Sequence, residues 1–386
     1  MKELQKMIEQ RIAEATVAGD DLQRLFTVKL PKKGLSAKWL RSNLEKRGPR
    51  LVSNQGWLRP IPPTIPPITG AAVPPLTTIG ELAEHLRMSP SELDWFADLH
   101  HRNPGEGALA HYRYRWIPKR KGSPRLLMEP KESLKMTQRR ILETVLNEIP
   151  LHEAAHGFRI GRSIRTFAEP HSGKQVVLKM DLGDFFPSIT FARVTGLFQM
   201  LGYRPEVALR LAGLCTHGPP RKVARMARHL PQGAPTSPAL ANAVAYRLDC
   251  RLSGLAKSLE LNYTRYADDL AFSGTRIRGS FLHLVGGIIL EEGFVANYRK
   301  TRLMRASTRQ RIAGVIVNEH PNVERGEFDR LKAILHNCAK LGPASQGMSD
   351  QRDHLRGKIA SVQMLTPTRG EKLLKIFQKV DWIGVI

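Results

Sequence analysis

Residues 263–269 read YTRYADD, and the acids that end this stretch, Asp268 and Asp269, decide the fold once their neighbours are read with them. An Asp-Asp pair alone is a common surface turn. Here it stands between two strand-like halves, LNYTRY and LAFSG, which puts the acids at the tip of a hairpin. Upstream, QVVLKMD (175–181) is a short apolar, β-branched run that stops at Asp181, the pattern of a buried strand with a carboxylate at its end. LPQGAPTSPALAN (230–242) lies between the two. Phosphoryl transfer assisted by two hard cations needs carboxylate oxygens bridging ions about 4 Å apart, and adjacent strand ends hold such oxygens rigidly. A surface turn beside an unrelated strand does not account for three blocks in this order.

Working outward, HYRYRWIPKRKGSPRLLMEP (111–130) alternates and turns at Lys121-Gly122, which predicts a basic β-hairpin. Leu134 to Ile149 reads as a helix ended by Pro150. Ile79, Leu82, Ala83 and Leu86 recur at helical spacing, and Ser89-Pro90 opens a second helix. That pair reads either as a helix–turn–helix reader of duplex DNA or, preferably, as a packing unit. Residues 59–75, RPIPPTIPPITGAAVPP, are too rich in proline for helix or ladder and predict an extended strap. Glu327 to Trp382 reads as mostly helical. The expected domains are an N-terminal extension with its proline-rich linker (1–76), a central unit (77–320) and a helical C-terminal unit (321–386).

The 386 residues carry 60 Lys and Arg against 35 Asp and Glu, a formal net charge of +25. Such an excess needs an anionic partner, and nucleic acid fits best because each neutralised phosphate releases a counterion. A basic surface that is merely solvated is the plainer alternative. No apolar run approaches the ~18 residues that cross a bilayer, and the charged start MKELQKMIEQRIAEA lacks the apolar stretch of a signal peptide. Three dispersed cysteines argue against a disulfide framework or a structural zinc. These features predict a soluble, cytoplasmic protein without a membrane partner.

In their order, DLGDFFPSI (181–189), LPQGAPTSP and YTRYADD resemble the polymerase motifs of a reverse transcriptase, specifically the bacterial retron type and its myxobacterial-like branch. The likeness runs from about residue 79 to 382. It takes in the basic hairpin as the fingers, LHEAAHGFRIGRSI (151–164) before the palm, GFVANYRKTRL (293–303) as the fourth motif, TRQRIAGVIVN (308–318) as the primer-grip region and the C-terminal helices as the thumb. The resemblance implies an α+β right-hand polymerase that makes single-stranded or RNA-linked DNA from a noncoding RNA template-primer, in antiphage defence. It further implies dNTPs as substrates, an RNA–DNA hybrid as product and an effector or toxin as partner. A host RNase H would trim the template, since no stretch beyond the thumb is long enough for such a domain.

Residue by residue, the resemblance implies that Asp181 and Asp268 ligate two Mg²⁺ ions, with Asp269 in a more peripheral carboxylate position. The backbone carbonyl of Leu182 would complete the shell of the nucleotide's metal. Phe186 would lie beneath the sugar and clash with a 2′-hydroxyl, whereas Phe185 reads as core. Lys119 and Arg125 would grip the triphosphate, Gln232 and Gly233 would lie against the nucleotide and template base, and Lys300 would protonate the leaving pyrophosphate. For Phe186 the plainer reading is core packing, and for Lys300 a solvated surface lysine.

Two blocks depart from the retron pattern. Phe167-Ala168-Glu169-Pro170-His171 stands where the family has N-A-x-x-H, and Ile312-Ala313-Gly314 where it has V-T-G. Both changes remove hydrogen-bonding side chains, which predicts an altered RNA interface at Phe167 and Ala313. They leave open a sister defence-associated or mobile-element reverse transcriptase with another template, and a non-polymerising RNA scaffold. His152-Glu153-Ala154-Ala155-His156 matches H-E-x-x-H, but Pro150 and Gly157 bracket it, so a structural or RNA-facing role is expected rather than zinc binding.

Overall fold

The computed structural model describes residues 71–100, 103, 107–118, 124–220, 223–224, 226–347 and 351–382. The N-terminal extension up to residue 70, most of the proline-rich strap, the hairpin turn at Lys121-Gly122, and Lys119 therefore lie outside the described residues. Ile79–Leu86 (α1) and Pro90–Ala97 (α2) each start at a capping box, Thr78 with Glu81 and Ser89 with Glu92. Their apolar faces, Leu82, Leu86, Leu93 and Ala97, are buried in the main core. The pair is a packing unit and offers no free recognition helix.

Tyr112–Ile117 (β1) and Arg125–Pro130 (β2) pair antiparallel from Tyr112↔Pro130 to Ile117↔Arg125, the expected hairpin. The next helix, Glu132–Thr144 (α3), stops sooner than the sequence suggested, with a 3₁₀ turn at Leu146–Glu148 before Pro150. Ile164–Ala168 (α4) leads into Val176–Gly183 (β3), followed by Phe191–Met200 (α5) and Pro205–Cys215 (α6). Ser237–Val244 (α7) and Tyr246–Ser258 (α8) precede the hairpin of Asn262–Tyr266 (β4) and Asp269–Gly274 (β5). Gly279–Glu291 (α9), Val295–Ala296 (β6) and Arg302–Arg305 (β7) complete the central sheet region.

That sheet is antiparallel, ordered β4-β5-β3-β6, with β7 also paired to β3. Strand β3 is its spine, and the alternation of its side chains divides the interior. Leu178, Met180 and Leu182 face the main core with Leu270 and Phe272 of β5 and the buried residues of α8 and α9. Val177 and Ala271 face a second cluster with Phe167, Ala168, Ile312, Val315 and Leu365. Ile312 and Val315 belong to a small hairpin, Arg311–Ile312 (β8) and Val315–Ile316 (β9). Its two turn residues, Ala313 (φ 42°) and Gly314 (φ 90°), both lie in the left-handed region.

The chain closes with Arg325–Leu341 (α10), Arg352–Leu365 (α11) and Pro367–Phe377 (α12). Leu331, Leu335, Leu355, Ile359, Leu373 and Phe377 give these helices a core of their own. Among the described residues no helix is long and apolar enough to cross a membrane.

Candidate active site

Register brings the acids together. In the β3–β5 ladder Asp181 stands directly opposite Asp269, so both side chains project from one face, and Asp268 occupies the turn that leads into β5. The Leu182 amide donates to the Asp268 carbonyl at 2.8 Å, and the Asn297 amide donates to the Asp181 carbonyl at 2.7 Å. Strand end and turn are thereby pinned to each other by backbone bonds.

The turn is held from below by a buried charge network. Arg265 on β4 and Asp249 on α8 are both fully buried. Arg265 Nε and Nη2 donate to the two Asp249 oxygens at 2.8 and 2.6 Å, and Nη1 donates to Asn242 Oδ1 and to the Ala267 carbonyl. Tyr263 Oη adds a 2.8 Å bond to Asp249 Oδ1. A buried ion pair is tolerable when the fork geometry is bidentate and the remaining donors are satisfied, as they are here. Ala267 itself has φ 57°, a left-handed conformation that a non-glycine residue adopts only when its surroundings enforce it.

Charge is balanced unevenly among the acids. Asp181, 5% exposed, receives Lys300 Nζ on both oxygens at 2.8 and 3.0 Å. Asp269 Oδ1 lies 2.9 Å from Nζ of Lys179, its diagonal neighbour on β3. Burial, and then the charges of Asp181 and Asp269, raise the pKa of Asp268 above the ordinary carboxylate value. Lys300 is raised as well: burial works against its charge, but the Asp181 hydrogen bond and the surrounding carboxylates outweigh it.

A divalent cation suits this donor set. The oxygens are hard carboxylate ligands, the charges of Asp181 and Asp269 add to burial in raising Asp268, and the Lys300 ammonium already rests on Asp181, where a cation is favoured. Among the described residues no three His, Cys, Asp or Glu side chains converge tightly enough to hold a metal unaided.

The remaining expected residues divide. Gln232 accepts the Met128 amide at its carbonyl (2.7 Å), which docks β2 on this loop. Gly233 follows with φ 122°, and a Cβ there would stand 3.0 Å from the Met128 carbonyl, so only glycine fits. Gln232 Oε1 is buried without a partner. Phe185 is core, its ring tilted by 33° against Phe294 at 5.7 Å, whereas Phe186 is only half-buried, 5.7 Å from Phe185. The Leu182 side chain is buried in the main core. Arg125 is exposed at the start of β2. A cleft of about 500 Å³ beside the acids is lined by Lys179, Tyr266, Asp268, Asp269, Arg311 and Ala313.

Three expectations resolve differently or more sharply. His152 to His156 forms turns and not a helix; His152 Nδ1 accepts the Ala154 amide, and His156 Nδ1 is bonded to Thr166 Oγ1 at 2.8 Å. The structural reading of those histidines stands. Phe167 is fully buried, and His171 is bonded to Ser273 and Thr264 hydroxyls at 2.7 and 2.8 Å. The Phe167 block therefore braces the sheet from inside, and the expectation of an altered RNA interface at Phe167 is corrected. Ala313 is a turn residue whose hairpin neighbours Ile312 and Val315 are buried in the same cluster as Phe167.

Lys179, Arg265 with Asp249 and Asn242, and Phe158 were not singled out from the sequence. Lys179 could have been found by period two, since it precedes Asp181 by two residues and shares its face. Arg265 carries a signal too, as the lone cation in a strand, NYTRY, framed by tyrosines.

Residues 117–317 match the family described as "Reverse transcriptase (RNA-dependent DNA polymerase)". The chain is 46% identical to the retron Mx65 reverse transcriptase of Myxococcus xanthus over 69% of its own length and 64% of that protein's. It is 41% identical to the retron Mx162 reverse transcriptase of the same organism, over 76% of this chain and 65% of the relative. The retron Ec86 reverse transcriptase of Escherichia coli is 31% identical over 70% of this chain and 82% of the relative. The chain thus spans just under two thirds of the two Myxococcus relatives. With this mixed helix-and-sheet architecture, the fold is the right-hand polymerase fold, and the chain belongs to the retron-type reverse transcriptases.

Proposed function

We propose that the protein is an RNA-directed DNA polymerase that copies a noncoding RNA into single-stranded or RNA-linked DNA, as part of an antiphage retron with an effector partner. The observation that carries this reading is the placement of Asp181 and Asp268 on a backbone-pinned strand end and turn, with the Lys300 ammonium bonded to Asp181. Asp181 and Asp268 would hold Mg²⁺ together with the nucleotide's phosphates, and the carbonyl of Leu182 would be a further ligand. Bound Mg²⁺ supplies charge neutralisation at the attacking primer hydroxyl and along the triphosphate.

The chain's own residues do the rest. Asp269, paired to Lys179, stays peripheral and fixes the field at the site. Lys300 Nζ, which rests on the Asp181 oxygens, would face the leaving pyrophosphate and donate a proton to its oxygen. Phe186 excludes a 2′-hydroxyl, Gln232 and Gly233 form the floor beneath the nascent pair, and Arg125 with Lys119 grips the triphosphate. Host RNase H would then remove the copied template.

The test is extension of a primed RNA template with labelled dNTPs and Mg²⁺. Template-length DNA is expected; its absence would leave an RNA-binding scaffold. Sequencing of co-purifying nucleic acid addresses the template, where a branched RNA–DNA species with a structured RNA marks a retron. A linear product on an unrelated RNA would mark a different reverse-transcribing system.

A further inference from the structure

Phe158 lies in the segment that precedes the palm and combines two features that rarely coincide. Its backbone is left-handed (φ 59°), and its ring is 46% exposed. A bulky residue in that conformation is strained by roughly 1–2 kcal/mol and persists only where the surroundings dictate it. Burial of the ring cannot be what dictates it.

The constraint comes from the catalytic turn. A Cβ on Gly157 would lie 2.6 Å from the Ala267 amide nitrogen and 3.2 Å from the Tyr266 carbonyl carbon, so the loop runs directly against the backbone that carries Asp268. Asn242 Nδ2 donates to the Gly157 carbonyl at 2.8 Å, and the His156 amide donates to the Arg265 carbonyl at 2.8 Å. Asn242 and Arg265 are the same residues that fix the turn. The strained loop and the acids are therefore one rigid assembly.

From this loop the Phe158 ring reaches Phe186, with centroids 6.1 Å apart and planes inclined by 50°. Two partly open aromatic faces thus meet beside the acids, one carried by β3's exit and one by the Gly157 loop. Open π-faces next to a phosphate-handling centre suit the flat, partly apolar body of a nucleoside. Building on the polymerase reading, we propose that Phe158 is the second wall of the nucleotide site. With Phe186 it forms an aromatic corner against which the sugar and base of the incoming deoxynucleotide pack, and it shares in the choice of dNTP over rNTP.

The strain makes a discriminating test possible. Phe158→Gly removes the ring and relieves the left-handed backbone, so the melting temperature should hold or rise. KM for dNTP should nevertheless rise roughly tenfold, the scale of one lost aromatic–base contact, with weakened dNTP over rNTP preference and kcat changed far less. Phe158→Tyr should retain parental values. Parental KM and sugar selection in Phe158→Gly would overturn the proposal. If that variant does not fold, Phe158→Leu decides: a raised KM supports an aromatic contact, and a parental KM reduces Phe158 to apolar filler. A parent protein that extends no primer would instead refute the polymerase reading beneath it.

Discussion

Arg265 shows how a single residue can govern a site it never touches. Its guanidinium ties α7, α8 and the Ala267 carbonyl together, and Asp249 is the only carboxylate that hydrogen-bonds it among the described residues. Asp249→Leu would strand a buried cation, so unfolding by denaturant should show a loss of about 3–5 kcal/mol. Parental stability would mean the pair contributes no more than an apolar contact. Phe186 makes the complementary case at the site's open side. Phe186→Val should admit the 2′-hydroxyl and raise rNTP incorporation at least tenfold relative to dNTP, read by competitive primer extension. Unaltered sugar selection would return Phe186 to the core, where Phe185 already sits. The sequence order of the blocks was enough to single out Asp181, Asp268 and Asp269, which the β3–β5 register and its turn bring together. It was not enough to find Asp249, which is an ordinary helix residue until folding places Arg265 against it. Likewise, nothing local to Gln232 says that its carbonyl receives the fingers strand.

At the scale of elements, three buried histidines tie neighbouring segments together. His171 joins the turn after α4 to β4 and β5, His156 joins the preceding segment to Thr166, and His111 packs against the rings of Trp95 and Phe96. Burial lowers their pKa values, to about 3 for His171 and about 4 for His156 and His111. In the unfolded chain the same imidazoles take up protons near 6.5. Between these limits the unfolded state binds more protons, so stability is complete above about 6.5 and is lost as pH falls toward 4. Melting temperatures measured from pH 7.5 down to 5 should fall steadily, and His171→Asn should flatten the descent. A level profile would contradict the buried, neutral assignment. These elements also mark where sequence reading stops. Periodicity predicts β3, the β4–β5 hairpin and the C-terminal helices, because each has an apolar pattern of its own. The two-residue strand β6 and the end of α3 at Thr144 are set by tertiary packing, and no local pattern announces them. The Phe167 block misled for a related reason: loss of an asparagine reads as a changed surface, but folding carries this position into the second core.

Over the whole molecule, the sequence carries a net charge of +25 and its candidate site a small group of acids, and the two act on separate terms. On the proposed function, attraction to nucleic acid would be spread over many phosphate contacts and weaken steeply with salt, while chemistry would depend on a few oxygens at Asp181, Asp268 and Asp269. Removing the acids should therefore leave binding intact. The most direct measurement compares the parent with the double variant Asp268→Asn, Asp269→Asn, on a primed RNA template with labelled dNTPs and Mg²⁺, alongside RNA affinity at fixed ionic strength. A metal site at these acids predicts that DNA synthesis falls by a factor of about 10³ or more, consistent with loss of charge stabilisation at the reacting phosphate, with RNA affinity within about twofold of the parent. DNA synthesis retained by the double variant would contradict it.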